Sequence, residues 1–338
     1  MQNQASNLEP TAAGGAATFN VMGIGNAIVD VMSQEGDDFV GTMGLTKGAM
    51  VLIDDDRAVE LYGAMSETTE ASGGSAANTM AGIASFGGRA GFIGKVHDDH
   101  LGKVFRADME ATGVSFDVAA AIDGPRTGRS MIVVTPDAQR TMNTSLGAAT
   151  TLYPEDIDTA AVAASSVLYC EGYIWDIDIT KQAIRVAIDA AKAAGQRVSF
   201  TLSDSFCVTR HHDEWHELLD GSIDILFGNT DELATLTGTD DFDAGIEAIR
   251  GRAEIACITR GAAGSLIITA DETIEVPAVP VDTVVDTTGA GDQYAAGVLF
   301  GITTGRSLAE AGRLGSAAAA EVISHLGARP LVALSTLL

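Results

Sequence analysis

From about residue 150 onward, the sequence alternates between short apolar runs rich in β-branched residues and longer segments with helical spacing of apolar positions. The run at 198–202 precedes a helical pattern at 213–219, and the run at 223–227 precedes another at 231–236. Strands and helices in this order form a parallel sheet covered by helices, because a crossover between parallel neighbours needs a helix-length connection. The pattern therefore predicts an α/β fold.

The amino-terminal part adds elements that extend the same sheet. The apolar spacing predicts strands at 19–24 and 91–93 and helices at 75–86 and 101–112. We expect residues 19–338 to form a single domain.

Two stretches, 31–53 and 114–146, interrupt this pattern with alternation of period two and a Pro136-Asp137 turn. Such alternation predicts antiparallel strands. Inserted into a mainly parallel α/β chain, they predict a small β lid above the strand ends, where ligands of open sheets bind. Residues 1–18 are expected to be a disordered polar tail.

Charge and composition exclude several classes of partner. The chain has 46 acidic and 20 basic residues, a formal charge of −26, which repels nucleic acid and anionic lipid. Cys170, Cys207 and Cys257 are widely spaced and odd in number, which favours neither a disulfide framework nor a zinc site. No apolar run reaches membrane-spanning length. We expect a cytoplasmic protein that binds small molecules.

The most informative motif is Asp286-Thr-Thr-Gly-Ala-Gly-Asp292, which precedes an apolar helical run. Glycines before a helix let backbone N–H groups converge on an anion, and the helix dipole adds positive potential there. A carboxylate at Asp292 could then accept a proton from a hydroxyl that attacks a bound phosphate. The structural alternative is that Asp292 only caps the helix after a flexible turn.

This motif resembles the carboxy-terminal signature of the ribokinase-like, or PfkB, family of carbohydrate and nucleoside kinases. Three further segments resemble family motifs in family order: Gly73-Gly-Ser-Ala-Ala-Asn78, the phrase at 94–102, and Asn229-Thr-Asp-Glu232. The resemblance extends from about residue 19 to about residue 330. It implies a three-layer α/β/α fold with a mainly parallel central sheet and an inserted β lid.

The resemblance also implies the chemistry of the site, with ATP as phosphoryl donor and Mg²⁺ as cofactor. Asp292 is implied to be the catalytic base beside an anion hole formed by Gly289, Ala290 and Gly291. The residues implied to bind the nucleotide and Mg²⁺ are Asn229, Glu232, Thr259 and Gly261, with Glu232 binding the ion through water. A monovalent cation, expected to be potassium, is implied to be ligated by Asp286 and Thr288. Asn229 and Glu232 also have the spacing of a helix capping box, which is the structural alternative for them.

The substrate side is implied to consist of polar and glycine residues near the first strands: Asn26, Asp30, Gly73, Gly74 and Asn78. A carboxylate can accept hydrogen bonds from two adjacent hydroxyls, so Asp30 is expected to bind a diol. In the lid, Arg140 matches an arginine implied to neutralise the transferring phosphate. A solvated hairpin arginine is the alternative for Arg140.

The lid segment around 135–147 most resembles bacterial adenosine-kinase-like members, which implies transfer of the γ-phosphate to the 5′-hydroxyl of adenosine and a role in purine salvage. Glu171 points to a different substrate, because sugar kinases of the family often place an acid there to bind a hydroxyl. A ribokinase-like or fructokinase-like activity is therefore the alternative. A catalytically silent nucleoside-binding protein on the same fold is a third possibility.

Overall fold

The computed structural model describes residues 17–137 and 139–338. Most strands form where apolar and β-branched residues run consecutively. The strands are β1 (Phe19–Ile24), β2 (Ile28–Gln34), β3 (Met50–Leu52), β4 (Thr69–Gly73), β5 (Ala90–Ile93), β6 (Gly128–Val134), β7 (Arg140–Ser145), β8 (Ser165–Glu171), β9 (Arg197–Thr201), β10 (Ile225–Asn229), β11 (Ile255–Thr259), β12 (Ser265–Ile268) and β13 (Thr273–Val276). Of the expected tail, residues 1–16 lie outside the described residues.

Helices occupy the segments with helical apolar spacing, and side-chain caps mark several of their starts. They are α1 (Asp37–Thr42), α2 (Asp55–Ala64), α3 (Ser75–Ser85), α4 (His100–Ala111), α5 (Thr159–Ala163), α6 (Asp178–Ala193), α7 (Ser205–Arg210), α8 (His212–Gly221), α9 (Thr230–Thr237), α10 (Phe242–Ile249), α11 (Ala290–Thr303) and α12 (Leu308–Val322). No helix within the described ranges is both long and apolar enough to cross a membrane.

The main sheet has eight strands in the order β13-β12-β11-β10-β9-β8-β1-β5. Strands β11 to β5 in this order are parallel to their neighbours, and β12 and β13 are antiparallel at one edge. Successive strand residues enter two different apolar clusters; Tyr169 packs with α3 and α11, whereas Leu168 and Cys170 pack with α6 and α8. The sheet is thus covered by helices on both faces, which confirms the predicted α/β class with a mainly parallel sheet.

A second sheet of five strands, in the order β3-β7-β6-β2-β4, forms the lid. Its pairings are mixed: β2 with β6 and β3 with β7 are parallel, and β6 with β7 and β2 with β4 are antiparallel. The predicted turn at 136–137 lies between β6 and β7. The predicted antiparallel pairing around this turn is confirmed for β6 and β7, whereas the parallel pairs β2–β6 and β3–β7 were not predicted.

The predicted lid segments also differ from the lid sheet in their boundaries. Residues 114–121 lie beside the main sheet, where Ser115 N donates to Ala90 O and Ala121 N donates to Val96 O. Burial of an aromatic cluster explains this position, since Phe116 packs against Phe92 and Phe105 with ring centroids 5.8 and 5.2 Å away. Conversely, β4 belongs to the lid sheet although its short polar sequence carries no strand signal.

Close packing of small residues fixes helix α11, which carries Asp292 at its start. A Cβ at Gly297 would lie 2.6 Å from the Cα of Gly315 on α12, and a Cβ at Gly82 on α3 would lie 2.7 Å from the Cβ of Ala296. Both distances are shorter than real Cβ contacts, so these glycines allow three helices to approach. Helix α11 is thereby packed closely against both α3 and α12.

This packing predicts that Gly297→Ala destabilises the protein by about 1–3 kcal/mol, because the added methyl group has backbone on its far side that cannot move away. Gly63→Ala is the matched control, since Gly63 is exposed near the end of α2 and a Cβ there meets nothing within 4 Å. Urea unfolding should show the control to be neutral or more stable by up to about 1 kcal/mol. Equal stability of Gly297→Ala and wild type would contradict this account of α11.

Candidate active site

A cavity of about 660 Å³ lies between the carboxyl ends of the main-sheet strands and one face of the lid. The strand ends contribute Glu171, Thr201, Asn229 and Thr259. The lid contributes alternate residues of β2, β3, β6 and β7, namely Ile28, Asp30, Met50, Leu52, Ser130, Ile132, Met142 and Thr144. The cavity therefore has a polar floor and a largely apolar roof.

Asp292 lies in the first turn of α11 and faces the start of α3. Its Oδ1 accepts a hydrogen bond of 2.6 Å from the Ser75 hydroxyl, and its Oδ2 accepts one of 3.1 Å from Asn78 Nδ2. Burial raises the pKa of Asp292, while these two hydrogen bonds and the Arg329 guanidinium lower it. A carboxylate in this position can accept a proton from a hydroxyl bound in the cavity.

The loop before α11 has the backbone that the glycine motif predicts. Gly289 has a φ of 81°, in the left-handed region, and a Cβ there would lie 2.7 Å from Ala328. Gly289 and Gly291 line the cavity, and Ala290 is the first residue of the helix. Ala290 N donates to Thr287 O at 3.2 Å. The N–H groups of Gly291 and Asp292, in the first turn, find no partner within the helix and are available to an anion.

Asp30, on β2, reaches the cavity from the lid beside two glycines. A Cβ at Gly73 would lie 2.7 Å from an oxygen of the Asp30 carboxylate, and Gly74 has a φ of 94°. Only residues without a side chain fit here. Burial raises the pKa of Asp30 to about 6, although the guanidinium groups of Arg140 and Arg329 lower it.

Glu171 lies at the end of β8 and is 1% exposed. Its Oε1 accepts a hydrogen bond from Asn26 N and its Oε2 accepts one from Ala76 N, both of 2.8 Å. Both carboxylate oxygens of Glu171, which was expected to bind a substrate hydroxyl, thus already accept hydrogen bonds from the backbone. Glu171 joins the loop after β1 to the start of α3, and burial raises its pKa to about 7.

Asn229 and Glu232 line the cavity and form a capping box at the start of α9. Asn229 Oδ1 accepts from Glu232 N at 2.9 Å, and Glu232 Oε2 accepts from Asn229 N at 3.0 Å. The structural alternative for this pair is thus present. Burial raises the pKa of Glu232 to about 7. Within the described residues, no group of three or more acidic, histidine or cysteine side chains could hold a metal ion.

Arg140, Asp286 and Thr288 meet at the edge of the cavity. Arg140 Nη1 donates to Asp286 Oδ2 and, at 3.2 Å, to Thr288 Oγ1. The arginine and aspartate side chains are 12% and 5% exposed, so the solvated-hairpin alternative for Arg140 is wrong. A monovalent cation held by Asp286 and Thr288 would have to displace the guanidinium, because like charges in contact repel. The side chains in this arrangement therefore do not fit such a cation.

Most of the residues proposed from the sequence surround this one cavity: Asn26, Asp30, Gly74, Asn78, Glu171, Asn229, Glu232, Thr259, Thr288, Gly289, Gly291 and Asp292. Gly73 lies behind the Asp30 carboxylate. Gly261 is exposed in the turn after β11 and does not line the cavity, so its expected position beside the nucleotide is not supported.

Sequence reasoning missed several residues of the site, among them Ser75, Arg329 and Phe206. Ser75 follows the double glycine and bonds to Asp292, a role that its place in the motif could have suggested. Arg329 reaches Asn78 from the segment after α12, and Phe206, which is 76% exposed, lines the cavity from α7. Neither of these two positions carries a sequence signal, because both depend on the packing of distant segments.

Glu171 predicts a pH dependence of stability. Its pKa rises from 4.5 to about 7 on folding, so its contribution to stability is complete below about pH 4.5 and is lost as the pH rises through about 7. In Glu171→Gln an amide N–H₂ replaces one carboxylate oxygen, so one backbone N–H loses its acceptor and the free energy of unfolding falls by about 1–3 kcal/mol. The free-energy difference from wild type, measured by urea unfolding, should narrow between pH 5 and pH 8. The exposed Glu217→Gln is the matched control, and a constant difference for Glu171→Gln would contradict the prediction.

The chain matches known proteins along most of its length. A family model described as "pfkB family carbohydrate kinase" matches residues 38–333. A solved structure of adenosine kinase from Sinorhizobium meliloti is 49% identical, covers 95% of this chain and 98% of its own, and has a TM-score of 0.88. A probable sugar kinase from Rhizobium etli CFN 42 is 44% identical with the same coverage and the same TM-score.

Other relatives differ in their named substrate. A fructokinase from Klebsiella pneumoniae is 28% identical over 68% of this chain and 76% of its own length. A putative ribokinase II from E. coli, solved with ATP and Mg²⁺, is 19% identical over 91% of this chain and 94% of its own, with a TM-score of 0.76, a likeness that shows the fold alone. The comparisons agree on phosphotransfer to an alcohol group of a sugar or nucleoside and differ on the acceptor. The family match covers well over half of the sequence, and the chain belongs to the pfkB family of carbohydrate kinases.

Proposed function

We propose that this protein is an ATP-dependent kinase that transfers the γ-phosphate to the 5′-hydroxyl of a ribonucleoside, with adenosine as the expected acceptor. Residues 19–338 would act as one kinase domain, with the lid sheet covering the bound substrates. A cytoplasmic location and a role in purine salvage belong to the same proposal.

The position of Asp292 carries the proposal. Its carboxylate lies at the start of α11, between the N–H groups around Gly289–Asp292 and the cavity side of α3. A hydroxyl bound against this carboxylate would give up its proton to Asp292 while its oxygen attacks the phosphorus. The developing charge on the phosphate would then be stabilised by the helix N–H groups. Ser75 and Asn78 hold the carboxylate in place by hydrogen bonds.

The donor side of the cavity suits ATP with Mg²⁺. When bound, the ion supplies charge neutralisation to the phosphates and keeps most of its water ligands, so one nearby carboxylate is sufficient. Glu232 lines the cavity with a raised pKa, and a cation beside it would favour its ionised form. Arg140 would add positive charge from the lid near the transferring phosphate.

The roof of the cavity favours a nucleoside over a free sugar. Met50 and Leu52 are 48% and 57% exposed on the lid face, and Phe206 is 76% exposed at the cavity wall. Aromatic and apolar side chains that remain exposed in a cavity suit the flat faces of a base, which a sugar lacks. Asp30 would accept hydrogen bonds from the two ribose hydroxyls.

A sugar kinase is the second candidate, because the similar proteins from Rhizobium etli and Klebsiella pneumoniae are named as sugar kinases. A silent binding protein is less well supported, since the geometry around Asp292 suits a base. A screen of ADP release over adenosine, inosine, guanosine, ribose and fructose tests these candidates.

The base assignment predicts that Asp292→Asn lowers kcat by about 10²–10⁴-fold. The amide keeps the shape of aspartate but cannot accept the proton, and no capping bond is lost because the N-cap of α11 is Gly289. Binding of ATP and nucleoside, measured by calorimetry, should survive. Asp241→Asn, a change at the cap of α10 where the side chain accepts from Ala244 N at 3.1 Å, is the matched control and should leave kcat unchanged. Turnover of Asp292→Asn within a few-fold of wild type would refute the assignment.

The nucleoside assignment predicts that adenosine has the highest kcat/KM in the screen and that Phe206→Ala raises its KM about tenfold, because base stacking on an aromatic ring is worth about 1–3 kcal/mol. The KM for ribose should not change in this variant. Ile122→Ala removes an equally exposed apolar side chain outside the cavity and is the control. A preference for fructose or ribose, or a Phe206→Ala effect shared by both substrates, would favour a sugar kinase.

A further inference from the structure

Arg329 brings a guanidinium group to the catalytic carboxylate through one intervening side chain. Its Nε donates to Asn78 Oδ1 at 3.2 Å, and Asn78 Nδ2 donates to Asp292 Oδ2 at 3.1 Å. Its Nη2 contacts the sulfur of Met109 at 3.5 Å. The segment after α12 is thereby connected to the start of α11 across the start of α3.

Gln293 holds the segment that carries Arg329 close to Asn78. Its side chain is fully buried, and its Nε2 donates to Asn78 O and to Ala328 O, both at 3.0 Å. The residue that follows Asp292 therefore holds the backbone of Asn78 beside the backbone that precedes Arg329. Such a contact leaves Arg329 little freedom to move away from Asn78.

The guanidinium decides which way the Asn78 amide faces. Arg can only donate hydrogen bonds, so the atom of Asn78 that faces Arg329 Nε has to be the carbonyl oxygen. The amide N–H₂ is then directed at Asp292. In the opposite orientation Asn78 Oδ1 would face a carboxylate oxygen, and two acceptors would repel each other.

Several charged groups act on Arg329 and Asp292. The acids that act on Arg329 are Asp108 on α4, Asp30 on β2 and Asp292 on α11, and the charge of Asp292 also acts on Glu171 on β8. Burial lowers the pKa of Arg329, and Asp108, Asp30 and Asp292 raise it. The second cation near Asp30, Arg140, is paired with Asp286. Among the described residues, Arg329 is a cation whose charge lowers the pKa of Asp292.

We propose that Arg329 is a positioning residue for phosphotransfer: it orients the Asn78 amide toward Asp292 and, by its charge, favours the ionised form of that carboxylate. This inference rests on the proposed role of Asp292 as the base. It gives the segment after α12 a function in the reaction, although that segment contributes no group to the proton transfer itself.

A double-mutant cycle on kcat tests the route through Asn78. Arg329→Met, which keeps the length of the side chain and removes charge and donors, should lower kcat about 10–100-fold, and Asn78→Ala should lower it similarly. The double variant should be little slower than the slower single variant, because residues in one hydrogen-bond network are not additive. Arg106→Met on α4, which removes donors to Phe116 O and Val118 O, is the control and should leave kcat unchanged.

The pH profile of kcat separates positioning from a purely structural role. Loss of the Arg329 charge raises the pKa of Asp292, so the acid limb in Arg329→Met should shift to higher pH. Because Asp30 and Glu171 also have raised pKa values, about 6 and about 7, the shift should be measured again in the Asp30→Asn and Glu171→Gln backgrounds. Arg329→Lys, which retains the charge, should restore most of the wild-type limb.

The outcomes distinguish this inference from the proposed function. An active Asp292→Asn variant would overturn the base assignment and the inference together. A nearly inactive Asp292→Asn variant combined with an unshifted acid limb in Arg329→Met would overturn the inference alone. Multiplicative losses in the double-mutant cycle, with a lowered Tm in Arg329→Met, would reduce Arg329 to a structural residue.

Discussion

The hydrogen bonds from Ser75 and Asn78 to the Asp292 carboxylate join two helix starts that are more than 200 residues apart in the chain. The remaining features of the site depend on this meeting point. The glycines of α3 and α11 allow the helices to approach, and the Glu171 carboxylate fixes the backbone at the start of α3. A helix start has N–H groups without partners inside the helix, so the same junction places the Asp292 carboxylate beside groups that can bind an anion.

The lid contributes charge as well as shape to this junction. Arg140 enters from β7 and pairs with Asp286, in the loop that precedes the helix start. Removing one partner of such a buried pair leaves the other charge without compensation. The pair therefore couples the position of the lid to the charge of the loop that precedes α11. An incoming phosphate would give the guanidinium a second anionic partner.

The sequence predicted those parts of the molecule that local pattern determines. Strand β1 and helix α3 begin at the predicted residues, and the glycine motif lies at a helix start, because periodicity and glycine conformation act over a few residues. Strand β4 and the position of 114–121 could not be predicted, since one depends on pairing with β2 and the other on burial of Phe116. The contacts of Arg140 and Arg329 bring together distant segments, for which a single sequence has no signal.

The buried acids of the site share a raised pKa. Burial raises the pKa values of Asp30, Glu171, Glu232 and Asp292, so each is held in a place that disfavours its ionised form. A core built for stability alone would avoid this arrangement, and perturbed carboxylates gathered around one cavity are typical of functional sites. Hydroxyl groups and cations that reach these carboxylates supply the interactions that burial removed. Because such ligands bind only the folded protein, occupation of the cavity has to stabilise the fold, and the strength of that coupling depends on these buried carboxylates.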